Sequence, residues 1–233
     1  METIWLRVRA PFAAFRGFQA GVYRATSRMI PPSAAYGLVL NLAGIEMRGP
    51  TNTVTTEIRQ DLPRLRIAVG SLSESEPEVA TLYQQLHSYP VGASGKELSA
   101  KTHGAKFWIV PVRREILIDF DCVIGVQTEL QGVAARIRSG LCGQADEPRY
   151  GLPFAGDNNL LIDRIEIADS PPAARWYALI QPDDPPQKRS CRLTVSINRT
   201  DNSQTTSRLY APLPEKVSSP PETVWVWVPS DPA

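Results

Sequence analysis

Cysteine and histidine are scarce in this chain of 233 residues, and their scarcity excludes several chemistries at once. Cys122, Cys142 and Cys191 are odd in number and widely separated, so they supply neither a disulfide framework nor a zinc site of CxxC spacing. They read as buried free thiols. His87 and His103 are the only histidines, so a mechanism that needs a pair must use both. No apolar run approaches the roughly 18 residues of a membrane span. The opening METIWLRVRAPFAAF places Arg7 and Arg9 where a signal peptide needs its apolar stretch, and it reads as the first strand of a cytoplasmic protein. No repeat of fixed period is visible, and no GxxxxGK pattern is present.

What remains is a globular composition, 42% apolar and 21% charged, with 21 prolines that imply many loops. The net charge of +1 hides an uneven distribution: residues 1–70 hold nine arginines against four acids. A second basic group, Lys96, Lys101, Lys106, Arg113 and Arg114, is opposed only by Glu97 until Glu115. Such asymmetry is either a pair of solvated faces or the footprint of a polyanion on one side of the molecule.

Ile4, Leu6, Val8 and Ala10 alternate with Trp5, Arg7 and Arg9, the pattern of a half-buried strand whose other face is basic and aromatic. In SRMIPPSAAYGLVLNLAG (residues 27–44), Pro31 and Pro32 open a helix and Ser33 is an early-turn residue. Ala35, Leu38, Val39 and Leu42 form its buried stripe, and Gly44 stops it. Gly37 inside that helix costs about 1 kcal/mol relative to alanine, so a close approach by another group is expected there. Residues 53–71 predict one or two strands, and residues 106–126 further apolar strand-like material. Residues 128–141 space Leu130, Val133, Ala134, Ile137 and Leu141 as a second helix. YGLPFAGDNNLLIDRIEIAD (150–169) runs from a glycine-bearing loop into another strand, and the last third is short strands joined by proline-rich links.

The order strand, helix, strand, strand, helix, strand predicts an α+β, ferredoxin-like (RRM-like) domain over residues 1–169, with a long insertion at about 72–105 and a β-rich C-terminal portion, 170–233, packed on it. Folds of this kind bind single-stranded RNA by stacking bases on an open sheet face. The start of the first helix offers unpaired backbone amides and a partial positive charge, with Arg24 and Arg28 nearby. It reads either as a plain cap or as an anion seat. DFD (119–121) reads as exposed carboxylates of a strand or turn, without a third ligand for a metal, and GDNN (156–159) as a turn. Trp225 and Trp227 read as sheet packing or a subunit contact. No metal and no cofactor is expected.

Residues 6–45, LRVRAPFAAFRGFQAGVYRATSRMIPPSAAYGLVLNLAGI, resemble the N-terminus of the CRISPR-associated protein 5 family of the RAMP superfamily: a strand at Leu6 to Arg9, an aromatic and basic segment from Phe12 to Arg16, the helix start at Pro31 to Ala35, the Gly37-Leu38 pair and the closing Gly44. Residues 150–166 are similar to the glycine-containing loop and strand of some members. The resemblance implies a RAMP domain whose 72–105 insertion is a β-hairpin thumb. It implies a type I, I-B-like Cascade subunit that holds the 5′ handle of the CRISPR RNA, contacts the large subunit and the backbone subunit, and meets target DNA through the complex. Arg16, Arg24, Arg28, Ser33 and Tyr36 would contact the handle, with Lys101, His103 and Lys106 from the thumb base. One branch of the family cuts precursor RNA with a tyrosine, a lysine and a histidine, for which Tyr36, His103 and Lys106 or Lys101 are the candidates here. KTHGAK lacks that branch's adjacent lysine-histidine order, which favours a subunit that holds RNA cut elsewhere. The alternatives are metal-independent processing of that RNA and a small-molecule-binding α+β protein with an incidental basic face.

Overall fold

A computed structural model describes residues 1–17, 21–49, 57–90, 103, 107–147, 149–199 and 201–230. The strands are β1 (Glu2–Ala13), β2 (Tyr23–Arg24), β3 (Leu65–Ser71), β4 (Glu78–Pro90), β5 (Phe107–Thr128), β6 (Arg164–Ala168), β7 (Arg175–Leu179), β8 (Cys191–Ser196), β9 (Thr206–Pro212) and β10 (Val226–Val228). The helices are α1 (Pro32–Leu42) and α2 (Val133–Leu141).

The sheet runs β6-β1-β5-β3-β7-β9-β8. Its first four strands are antiparallel neighbours, with α1 between β1 and β3 and α2 between β5 and β6. This is the split βαββαβ order of the ferredoxin-like fold. The alternation in β1 works as its pattern dictates: Ile4, Leu6, Val8 and Ala10 are buried beside Cys122, Ile124 and Val126 of β5, Leu65, Ile67 and Val69 of β3, and both helices.

The C-terminal third continues the sheet. Gly70 and Ser71 of β3 pair with Trp176 and Arg175 of β7, and β10 pairs with the other edge region of β3 at Leu65–Ile67. Leu193, Val195, Tyr210 and Val228 join the core that holds α1. α1 is therefore enclosed beyond its predicted stripe, with Tyr36, Leu40 and Asn41 also buried. On the face away from the helices, Trp5 packs edge-on against Trp176 and tilted against Trp225, with ring centroids 5.6 and 5.7 Å apart. Gly70 and Gly125 lie beneath these rings.

Several expectations are corrected. The second helix starts at Val133 rather than at residue 128, because Gly132 precedes it at φ 88°, a left-handed turn that glycine favours. Residues 57–64 are irregular, and only Leu65–Ser71 is strand, while 53–56 lie outside the described residues. Among the described residues the close approach expected at Gly37 is not found: a β-carbon there would meet Met47 Sδ at an ordinary 3.7 Å. It occurs instead at Gly140 of α2, where a β-carbon would overlap the Leu42 carbonyl oxygen of α1. The thiols are free, but only Cys122 is buried; Cys191 is half-buried and Cys142 exposed.

Candidate nucleic-acid interface

The 22-residue β5 extends past the central sheet and forms a hairpin with β4, from Glu78 opposite Ile118 to Pro90 opposite Phe107. At the base of this hairpin β2 joins the other side of β5 in parallel. Three strands then lie side by side, with Tyr23, Arg113 and Tyr83 in register across them. The Arg113 guanidinium lies over the Tyr83 ring, 5.4 Å from its centroid. The Tyr23 hydroxyl donates to Glu115 Oε1 at 2.6 Å, and the Thr26 amide donates to Glu115 Oε2 at 3.0 Å. The bond to Glu115 raises the pKa of the Tyr23 hydroxyl, because it stabilises the protonated form. Arg28, exposed, donates to the Pro77 carbonyl at 3.3 Å.

Alternation turns the neighbouring side chains inward. Arg114, in register with Arg24, is buried and pairs with Asp157, which also accepts from Arg16 Nη2 at 3.0 Å. Asp157 heads a turn in which its Oδ1 accepts from the Asn159 amide at 3.1 Å. Burial pushes its pKa up, but the Arg114 bond, the Asn159 amide and Arg16 outweigh that and leave it below the usual carboxylate value. Gly156 at φ 83° brings this turn against Phe15, whose ring would stand 2.6 Å from a β-carbon. The loop 150–161 is thereby anchored to the segment that follows β1, and Ala14 donates to the Ala155 carbonyl at 3.0 Å.

A sequence-family model described as "CRISPR-associated protein (Cas_Cas5)" matches residues 3–145, which span β1 to α2. The chain is a Cas5 family protein. By structure it is similar to a chain of a "CRISPR RNA-guided surveillance complex", with a TM-score of 0.57 and 13% identity over 96% of each chain, a likeness of fold. A chain of "Crystal structure of Cas protein" aligns at a TM-score of 0.44 and 12% identity, over 92% of this chain and 96% of that one. No curated protein matches the sequence.

In this Cas5 chain the expected handle residues do not share one surface. Arg16 pairs with Asp157 and Arg24 is in register with buried Arg114, while Arg28 lies near Tyr23 and Arg113 on the outer face. At the start of α1, read as a plain cap or an anion seat, Pro31 and Pro32 are buried, Ser33 is half-buried, and Ser33 Oγ donates to the Thr194 carbonyl of β8 at 3.0 Å.

Tyr36, expected both at the handle and as a catalytic group, is a core residue whose hydroxyl donates to the Pro63 carbonyl at 2.8 Å. Burial pushes its pKa far above the usual tyrosine value, the opposite of what a general base requires. His103 is exposed at φ 49° between the hairpin strands; Lys101 and Lys106 lie outside the described residues.

Asp119 is exposed at φ 49°, and Asp121 accepts from Arg7 Nη2 at 2.6 Å on the outer sheet face. Among the described residues no group of three acidic, histidine or cysteine side chains is placed to hold a metal, and no helix is long and apolar enough to cross a membrane. Trp225 is sheet packing against Trp5, whereas Trp227 lies beneath the Arg64 guanidinium at 5.2 Å. Sequence reasoning missed Tyr23, Tyr83 and Asp157. Tyr23 stands beside Arg24, which could have signalled it; Tyr83 lies in the 72–105 insertion with no arginine beside it, and Asp157 gave no signal, since its two arginine partners are 141 and 43 residues away.

Proposed function

We propose that this Cas5 protein is a non-catalytic RNA-binding subunit of a type I CRISPR surveillance complex, working in the cytoplasm. It holds the 5′ handle of the CRISPR RNA, contacts the large subunit and the backbone subunit, and meets target DNA through the assembled complex. The family match over residues 3–145 carries this reading. It is supported by the fold shared with a chain of an RNA-guided surveillance complex. The exposed arginines at the hairpin base supply the charge that a polyanion requires. Arginine suits the task because its planar fork meets phosphate in two parallel bonds and its face stacks on unpaired bases.

Binding of repeat-derived handle RNA, followed by fluorescence anisotropy across a salt series, tests the proposal. The association constant should fall with a log-log slope of about −0.7 per phosphate contacted. A slope near zero, or no difference between handle RNA and a scrambled strand within the reconstituted complex, would overturn it.

A further inference from the structure

We propose that Tyr23, Arg113 and Tyr83 form a base-stacking strip for single-stranded RNA on the outer face of the hairpin, an inference that rests on the RNA-binding reading above. The strip is built by register. Arg113 sits directly between Tyr23 on β2 and Tyr83 on β4, and neighbouring strands are about 4.8 Å apart, so the two rings flank one guanidinium on a single face.

Both rings are exposed, Tyr83 at 72% and Tyr23 at 50%, which leaves large apolar surface in water for no packing gain in the isolated chain. Neither ring is loose. Arg113 covers one side of Tyr83, so the opposite side is presented to solvent. Tyr23 is fixed through its hydroxyl to Glu115, which the Thr26 amide holds in turn. A side chain ordered in advance loses little rotamer freedom when a flat ligand settles on it.

The surrounding charge selects the ligand. Arg28 and Arg113 both lie close to Tyr23, and Glu115 beside it is occupied by two donors. An arginine has five N–H donors; Arg28 is exposed and donates from Nη1 to the Pro77 carbonyl, and its fork has further donors with which to meet a phosphate. Aromatic faces interleaved with guanidinium groups bind single strands through base stacking, with little dependence on base identity. A duplex would hide the base faces that the tyrosines require. A base placed on the free side of Tyr83 would complete a sandwich of base, ring and guanidinium.

The test compares two single-stranded RNAs of eight nucleotides, one of uridines and one abasic throughout, binding to the full chain and to Tyr83→Ala, Tyr23→Ala and Tyr83→Phe variants. Wild-type protein should prefer the uridine strand. Each alanine variant should weaken uridine binding on the order of 5- to 150-fold, leave abasic binding unchanged, and so collapse the preference. Tyr83→Phe, which keeps the ring, should retain it. Unaltered melting temperatures establish that the variants are folded, and the exposure of Tyr83 makes that the expected result. If both alanine variants keep the wild-type preference, the inference is wrong and the strip is a protein contact surface. If wild-type protein binds neither RNA, the RNA-binding reading itself fails with it.

Discussion

Gly125 lies directly beneath Trp5: a β-carbon on Gly125 would stand 2.6 Å from Cζ3 of that ring and 2.8 Å from Cη2 of Trp225. Trp5 is in turn packed on Trp176, which is fully buried. Gly125→Ala is therefore expected to destabilise the protein by about 1–3 kcal/mol through overpacking. In a chain of this length the melting temperature falls by about 2–4 °C for each kcal/mol. Calorimetry showing an unchanged or raised melting temperature would contradict the packing.

The ion pair at Asp157 predicts an acid-sensitive hairpin base. The folded pKa of Asp157 lies below its unfolded value of about 3.9, so its stabilisation is present above that pH and lost as pH falls through the folded pKa. Asp157→Asn should cost about 3–5 kcal/mol at neutral pH, because it leaves the buried Arg114 without its counter-charge. The variant's stability should also vary less than the wild type's below about pH 4. Urea unfolding at pH 7 and pH 3 measures both effects.

Thiol reactivity separates the three cysteines. Burial pushes Cys191 up to about 11 and Cys122 higher still, where the neighbouring Asp121 charge adds to it, so neither forms thiolate readily at pH 8. One fast-reacting thiol, at exposed Cys142, is expected with an aromatic disulfide reagent. Cys191 should follow slowly, and Cys122 only on denaturation. Loss of the fast phase in Cys142→Ser checks the assignment.

Much of this architecture is legible from short-range pattern, because β1, α1 and the short C-terminal strands each carry their periodicity within a dozen residues. The candidate site is less legible, since its geometry depends on partners far apart in the chain. Tyr36 occupies a position that suits either a binding residue or a core residue, and only its burial, with its hydroxyl bonded to the Pro63 carbonyl, decides between them. Ser33 and the two prolines mark a helix start correctly, yet nothing local announces that the Ser33 hydroxyl bonds to Thr194, 161 residues later. Tyr23, Tyr83 and Arg113 become neighbours only through strand register, which no single segment contains.

Register also predicts which arginines carry the salt dependence of RNA binding. Arg28→Ala and Arg113→Ala should each reduce the magnitude of the salt slope by about 0.7, the contribution of one phosphate contact on a single strand. Arg24→Ala should change it less, because Arg24 is in register with buried Arg114 on the opposite face from Tyr23. Equal effects of all three variants would contradict this division of faces.

Precursor repeat RNA incubated with the purified protein in EDTA should remain intact, and His103→Ala should leave the gel pattern unchanged. Tyr36 is sealed in the core and cannot deprotonate a 2′-hydroxyl from there. A site-specific product abolished by His103→Ala would reverse the assignment.

The pairing of β1 with distant strands has a consequence for synthesis. β1 is translated first, but Arg7 waits for Val123 of β5 on one side and Glu166 of β6 on the other, and α1 waits for β8. At about 5–20 residues per second, the apolar face of β1 emerges roughly 8–30 s before its last partner strand is made. High contact order of this kind slows folding and leaves an adhesive edge exposed on the nascent chain. A ribosome stalled before β6 would therefore hold a collapsed, aggregation-prone intermediate, so the timing of translation becomes part of how this fold is reached.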